Sequence, residues 1–164
     1  MAVQTTFKIR RFTPADLDRV MHINQTCLPE NYSSSFFTDL YERFPHTFIV
    51  AEENGQIVGY AMCRIERGII GLAKKGHLIS IAVLPGHRRQ GIGYALMLEV
   101  MQAMLLYEAT ECFLEVRVSN TSAVDLYKKL GFRIAQTKRS YYSDGEDAYL
   151  MSRKLPFTHE ETAC

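Results

Sequence analysis

The chain has 164 residues, 47% of them hydrophobic, with 19 Lys and Arg against 18 Asp and Glu. That length suits one compact domain burying roughly two-thirds of the surface its unfolded form exposes, and a net charge of +1 leaves no electrostatic footprint for nucleic acid or an anionic membrane. The four cysteines, Cys27, Cys63, Cys112 and Cys164, show no C-x-x-C or zinc-like spacing, so no metal is expected. With no signal peptide to imply an oxidising compartment, they read as free thiols of a cytoplasmic protein.

Phe7 to Arg11 can form a first strand. Thr13-Pro14 then starts a helix, with Thr13 as cap and Pro14 in the first turn, and Leu17, Val20, Met21 and Leu28 supply its apolar stripe up to Pro29. A polar loop, Pro29 to Ser33, precedes a second helix over Ser35 to Arg43, where Phe36, Phe37, Leu40 and Phe44 recur at near-helical spacing. Thr47 to Glu53, the turn Asn54-Gly55 and Gln56 to Arg67 carry the signature of a hairpin. Gly68 to Lys75 is expected as a loop and His77 to Val83 as the next strand. The apolar run from Gly91 to Leu106 holds only Glu99 as a charge, but it falls short of the ~20 residues that span a bilayer and reads as a buried helix opening near Gln90. A strand over Glu111 to Val118, a helix over Thr121 to Leu130 and a strand pair, Arg133 to Tyr142 and Ala148 to Leu155, complete the order. Helices interleaved with strands in this way imply a mixed α/β sheet with helices on both faces. A single domain is expected over residues 1–157, with 158–164 as a frayed polar tail.

The segment Arg88-Arg89-Gln90-Gly91-Ile92-Gly93 lies between a strand and an apolar helix. The first N–H groups of a helix lack internal partners and can hold an anion, and glycines let a pyrophosphate approach the backbone while Arg88 and Arg89 add positive charge. A Rossmann turn would need a third glycine and a P-loop would need Gly-Lys-Ser/Thr; neither fits. A basic turn whose glycines serve only close helix packing is the plainer alternative.

Strand, Arg-x-x-Gly-x-Gly and apolar helix together resemble the acetyl-CoA motif of the GNAT acetyltransferase superfamily. Leu114-Glu115-Val116-Arg117-Val118-Ser119-Asn120, followed by Ala123, Leu126-Tyr127 and Gly131-Phe132, is similar to that superfamily's next strand and helix at the expected distance. Two flanking segments, Leu28-Pro29-Glu30-Asn31-Tyr32 and Tyr141-Tyr142-Ser143-Asp144-Gly145-Glu146-Asp147-Ala148, resemble the catalytic-subunit family of N-terminal acetyltransferase A and its archaeal relatives. Bacterial ribosomal-protein alanine acetyltransferases share the later segments but not obviously the Pro-Glu-Asn-Tyr loop. The resemblance runs from about Phe7 to Leu155. It implies a mostly antiparallel seven-stranded sheet, splayed at its centre, and direct transfer of acetyl from acetyl-CoA to a protein α-amino group.

A protein α-amino group with a pKa near ~8 is only partly neutral at pH 7, so a base near it speeds attack on the thioester. The resemblance makes Glu115 that base, with local burial expected to raise its pKa, and gives His77 a share in proton removal. From the residues alone, Glu115 and Arg117 could equally be a solvated pair on one strand face, and His77 a surface histidine at a strand end. Tyr127 matches the family's acid for the departing thiolate, although Ala123, Leu126, Tyr127 and Leu130 also read as a core stripe. Asn120 caps the helix start and can bond the cofactor. Ile81, Ala82 and Val83 would pair through their backbone with the pantetheine amides, and Arg88, Arg89, Gln90, Gly91, Ile92 and Gly93 would hold the pyrophosphate.

For the peptide, Leu28, Pro29, Glu30 and Tyr32 on one side and Tyr141 and Tyr142 on the other would line a groove that reads a free chain end. Without the resemblance, the tyrosine pair could be edge-strand aromatics shielding the core and Glu30 a solvated loop charge. Implied partners are N-terminal segments of proteins, with the ribosome or an auxiliary subunit beside them, and the chain itself as a monomer or weak homodimer. Acetylation of an internal lysine or small amine is the alternative activity. A non-catalytic acyl-CoA sensor would keep the phosphate turn but has no use for Glu115 and Tyr127.

Overall fold

The computed structural model describes residues 6–68 and 73–156. The tail expected at 158–164 lies outside the described residues, as do residues 69–72 of the loop expected between Gly68 and Lys75. The elements are β1 (Phe7–Arg11), α1 (Leu17–Cys27), α2 (Ser34–Arg43), β2 (Phe48–Glu53), β3 (Gln56–Arg67), β4 (Lys74–Val83), α3 (Ile92–Met104), β5 (Ala109–Arg117), α4 (Thr121–Lys129), β6 (Arg133–Lys138) and β7 (Ala148–Lys154). The strands form one sheet in the order β1-β2-β3-β4-β5-β7-β6. β1 with β2, β2 with β3, β5 with β7 and β6 with β7 are antiparallel, while β4 and β5 run parallel. This is the mixed sheet expected from the order of elements, with the seven strands and mostly antiparallel pairing that the family resemblance implies. The chain divides into two compact units, Met1–Arg64 with Ile79–Ala103 and Ile65–Leu78 with Met104–Cys164.

In the first unit, α1 is entered through a short 3-10 turn, Pro14–Asp16. The Asp16 carboxylate accepts the Thr13 N–H at 2.9 Å and a two-pronged ion pair from Arg10 at 2.8 and 2.9 Å, which ties the helix start to β1. Val20 and Ile23 of α1 and Phe37 and Leu40 of α2 bury against Phe12, Phe48, Val50, Tyr60 and Met62. Helical apolar spacing therefore faces strand residues, as amphipathic helices on a sheet require. Ser33 caps α2 by accepting the Phe36 N–H. The β2–β3 hairpin turns at Asn54 and Gly55, both at positive φ (52° and 78°), the requirement that makes Asn-Gly so strong a turn signal. Ile92, Leu96, Met97, Val100 and Met101 of α3 are all buried.

In the second unit, β5 alternates. Ala109, Cys112, Leu114 and Val116 are buried, while Glu111, Phe113, Glu115 and Arg117 occupy the other face at intermediate exposure. β4 begins at Lys74, not His77. Its first residues pair with β5 from Lys74–Ala109 to His77–Phe113, and Lys74 and Lys75 reach Glu108 and Glu111 at 3.5 and 3.4 Å, so two lysines that read as loop are strand residues with ionic partners. Conversely, β6 stops at Lys138. Ser140 adopts φ 50° with its N–H on Asp147, and the Gly145 N–H closes a turn onto the Tyr142 carbonyl, which puts Tyr141 and Tyr142 in a loop.

Candidate active site

The second unit holds the densest polar arrangement. His77 leaves β4 on the face that carries Phe113, and the imidazole stacks on that ring at 4.2 Å with 20° between planes. Its Nδ1 lies 2.9 Å from Glu66 Oε1 and its Nε2 2.7 Å from Glu115 Oε2. The other Glu115 oxygen accepts from Lys138 Nζ at 3.4 Å. The Glu115 side chain is only 10% exposed, the setting in which burial alone is expected to raise a carboxyl pKa. Burial does push it up, but the bond and charge of His77 and the ammonium of Lys138 outweigh that push and hold it below the ordinary carboxylate value. The expected direction is thus reversed, because both partners, on β4 and β6, come from strands other than its own.

Arg117, the other candidate partner for Glu115, bonds Asp144 and Glu146 at 2.8 and 3.0 Å. Its guanidinium lies 4.0 Å from the Tyr142 ring centre. Lys138 is 5.2 Å from the Tyr141 ring centre, and the two tyrosines meet edge to face at 5.0 Å. The tyrosine loop is therefore held by cations of β5 and β6, the strands on either side of β7, and Lys138 joins it to Glu115. Tyr127 is 4% exposed; burial, with Cys112 and Tyr142 nearby, drives its hydroxyl well above the usual phenol value. It keeps its proton at neutral pH. Asn120 caps α4, its side chain accepting the Ala123 N–H at 3.3 Å.

The phosphate turn belongs to the first unit. Arg89 and Gly91 both have positive φ (65° and 83°). α3 opens with the Ala95 N–H on the Gly91 carbonyl, so the N–H groups of Ile92, Gly93 and Tyr94 fall outside the helix ladder. A Cβ built on Gly91 meets nothing within 4 Å: the glycine is there for its backbone angle and the space beside it is open. Arg88 Nε bonds the Val83 carbonyl at 2.8 Å, which anchors the turn to the strand carrying Ile81 and Ala82. His87 adds a further anchor through Glu53 at 2.6 Å.

Leu28, Pro29, Glu30 and Tyr32 also lie in the first unit. Tyr32 stacks on Phe36 at 4.6 Å, and the loop backbone is held by Asn24 of α1. Glu66, Lys138, His87 and Asn24 were not legible as site residues. Each acts on a group distant in sequence, and none stands in a motif; only Glu66, on the terminal stretch of a strand, carried even the weak signal of a carboxylate where apolar residues end.

A protein-family model described as "Acetyltransferase (GNAT) family" matches residues 17–132, well over half the chain. The chain belongs to the GNAT acetyltransferase family. An N-alpha-acetyltransferase of Sulfurisphaera tokodaii is 49% identical to this GNAT protein over 156 residues, covering 91% of this chain and 93% of that one. The N-terminal acetyltransferase A complex catalytic subunit of Arabidopsis thaliana is 41% identical over 150 residues, 90% of this chain and 77% of its own. The crystal structure of Arabidopsis thaliana Naa50 with the bisubstrate analogue CoA-Ac-MVNAL superposes with a TM-score of 0.79 at 25% identity, covering 92% of this chain and 99% of that one. The family match spans the GNAT protein's phosphate turn, His77, Glu115, Asn120 and Tyr127, whereas Lys138, Tyr141 and Tyr142 lie beyond its end.

Proposed function

We propose that this GNAT protein transfers the acetyl group of acetyl-CoA to the α-amino group of protein N-termini, by direct attack of the amine in a ternary complex. The observation that carries the chemistry is the His77–Glu115 bond of 2.7 Å beside Lys138, a proton-accepting pair built on a half-buried strand face. Acetyl-CoA supplies an activated thioester carbonyl. The amine must arrive neutral, and Glu115 with His77 takes its proton. A carboxylate held below its ordinary pKa is a weak base alone, so the role belongs to Glu115 together with the imidazole hydrogen-bonded to it. Tyr127, kept protonated by burial, donates to the departing thiolate.

Arg88, Arg89, Gln90 and the backbone of Gly91, Ile92 and Gly93 hold the pyrophosphate. Ile81, Ala82 and Val83 offer backbone to the pantetheine, and Asn120 adds a polar contact. Leu28, Pro29, Glu30 and Tyr32 receive the first residues of the peptide, with Tyr141 and Tyr142 bonding its backbone. The likeness of those two segments to N-terminal acetyltransferases, and the Arabidopsis relative named as such a catalytic subunit, favour a chain end over an internal lysine or small amine. That relative is named as part of a complex, which supports an auxiliary subunit as a partner here. No described helix is long and apolar enough to cross a membrane, and a cytoplasmic site of action fits the thiols of Cys27 and Cys112. The deciding experiment offers acetyl-CoA with a panel of N-terminal peptides and with an internal-lysine peptide whose N-terminus is blocked. Transfer to the free N-termini is expected; transfer to the blocked peptide alone overturns the reading.

A further inference from the structure

α1 turns mostly apolar residues inward, and Val20 and Ile23 are wholly buried, yet Asn24 beside them is 1% exposed. An apolar side chain there would pack without any need for partners. Asn24 instead uses its whole amide. Nδ2 donates to the Glu30 carbonyl at 3.0 Å and to the Tyr60 hydroxyl at 3.1 Å, and Oδ1 accepts the Tyr32 N–H at 3.3 Å. Its main-chain carbonyl takes the Leu28 N–H at 3.0 Å. Tyr60, fully buried in β3, passes the network on to Ser80 of β4 at 2.7 Å.

The amide reads a carbonyl and an N–H two residues apart, as a neighbouring strand would. It thereby fixes the loop backbone at Glu30 and Tyr32, while the Asn24 main-chain carbonyl holds Leu28. A buried hydrogen bond adds little net stability, whereas a buried polar group stripped of its partner costs more than the bond itself contributes. Such a network therefore selects one arrangement more than it adds stability. The arrangement selected here is that of the loop assigned to the peptide's first residues.

We infer that Asn24, backed by Tyr60 and Ser80, is a positioning residue that sets which first residues the enzyme accepts. The inference rests on the reading of the Leu28–Tyr32 loop as the peptide loop. A loop released from Asn24 samples several backbone arrangements, so its pocket discriminates less sharply among first residues while the proton-transfer groups stay in place.

The test measures kcat and KM for a panel of peptides differing only in the first residue, using wild type, Asn24→Ala and Tyr60→Phe. Tyr60→Phe keeps the ring volume, so it decides the matter even where Asn24→Ala does not fold. Loss of one such bond corresponds to about a fivefold effect. The KM of the best peptide is expected to rise about fivefold and that of the worst to change little, so the kcat/KM ratio between them shrinks by about the same factor, with the KM for acetyl-CoA and kcat on the best peptide within about twofold. An unchanged best-to-worst ratio, whether from no effect or from an equal loss for every peptide, overturns the inference while leaving the enzyme an N-terminal acetyltransferase. A wild type that acetylates no N-terminal peptide overturns both.

Discussion

Glu115 stays ionised against its own burial because His77 and Lys138 face it, so a substitution that keeps its shape and removes only its charge isolates its role. Glu115→Gln is expected to lower kcat by about 100-fold or more, the scale of a lost general base, while the KM for acetyl-CoA changes by less than about twofold. Steady-state kinetics at saturating peptide check this, and an unaltered kcat would remove the base assignment. Tyr127→Phe retains the buried ring and deletes the donor, so it too should depress kcat with little change in thermal midpoint. The identity of these residues was readable from the strand Leu114-Glu115-Val116 and the helix beginning at Asn120. Their electrostatics were not. The lowering of Glu115 comes from His77 first and then from Lys138, which sits on β6, and no periodicity in the sequence reports which partner a fold will bring to a carboxylate.

Among the elements, the start of α1 shows how a local signal can be strengthened from outside. Thr13-Pro14 marks the helix start in the sequence, but the carboxylate that completes it, Asp16, also receives Arg10 from β1. The guanidinium bond, then the backbone N–H of Thr13, overcome partial burial and place Asp16 below its ordinary pKa. A lowered folded-state pKa contributes stability that is present above the unfolded value, near ~3.9, and is lost as pH falls through the folded value. Asp16→Asn should therefore destabilise the protein by about 1–3 kcal/mol near neutral pH, and the gap to wild type should close as the solution is acidified below pH ~4. Urea midpoints across pH measure both statements; a gap that persists unchanged in acid would place the effect in packing. Gly76 poses the opposite case, a residue with no local signal at all. A Cβ there would collide with the fully buried Met104 side chain, one residue before His77. Gly76→Ala is expected to cost about 1–3 kcal/mol as overpacking and to lower kcat by displacing His77. Unfolding curves with peptide kinetics test the two effects together. A sequence shows that a glycine is present; only the packed fold shows that a methionine fills the space a methyl would take.

For the whole molecule, the boundaries between the two compact units fall at Arg64–Ile65, Leu78–Ile79 and Ala103–Met104. The first two lie inside strands, β3 and β4, and the third in the last turn of α3, whereas independent domains are joined by exposed linkers rich in glycine, proline or polar residues. None of the three is such a linker. We therefore propose that residues 6–156 unfold as one cooperative domain, which agrees with the single core expected of a chain this long. Thermal unfolding followed by far-UV circular dichroism, tyrosine fluorescence and calorimetry should give coincident midpoints and equal calorimetric and van't Hoff enthalpies; two resolved transitions would refute a single domain. Acetyl-CoA, bound by the folded state alone, should raise that one midpoint. At a concentration 100 times its Kd the gain is about 2.7 kcal/mol, and at any fixed concentration Arg88→Ala or Gly91→Ala should diminish it. The latter forces a side chain onto a φ of 83°, at a cost of about 1–2 kcal/mol, so its ligand-free midpoint must be the baseline for its own shift. If the undiminished shift survives in both variants, the pyrophosphate is held elsewhere than at the turn before α3.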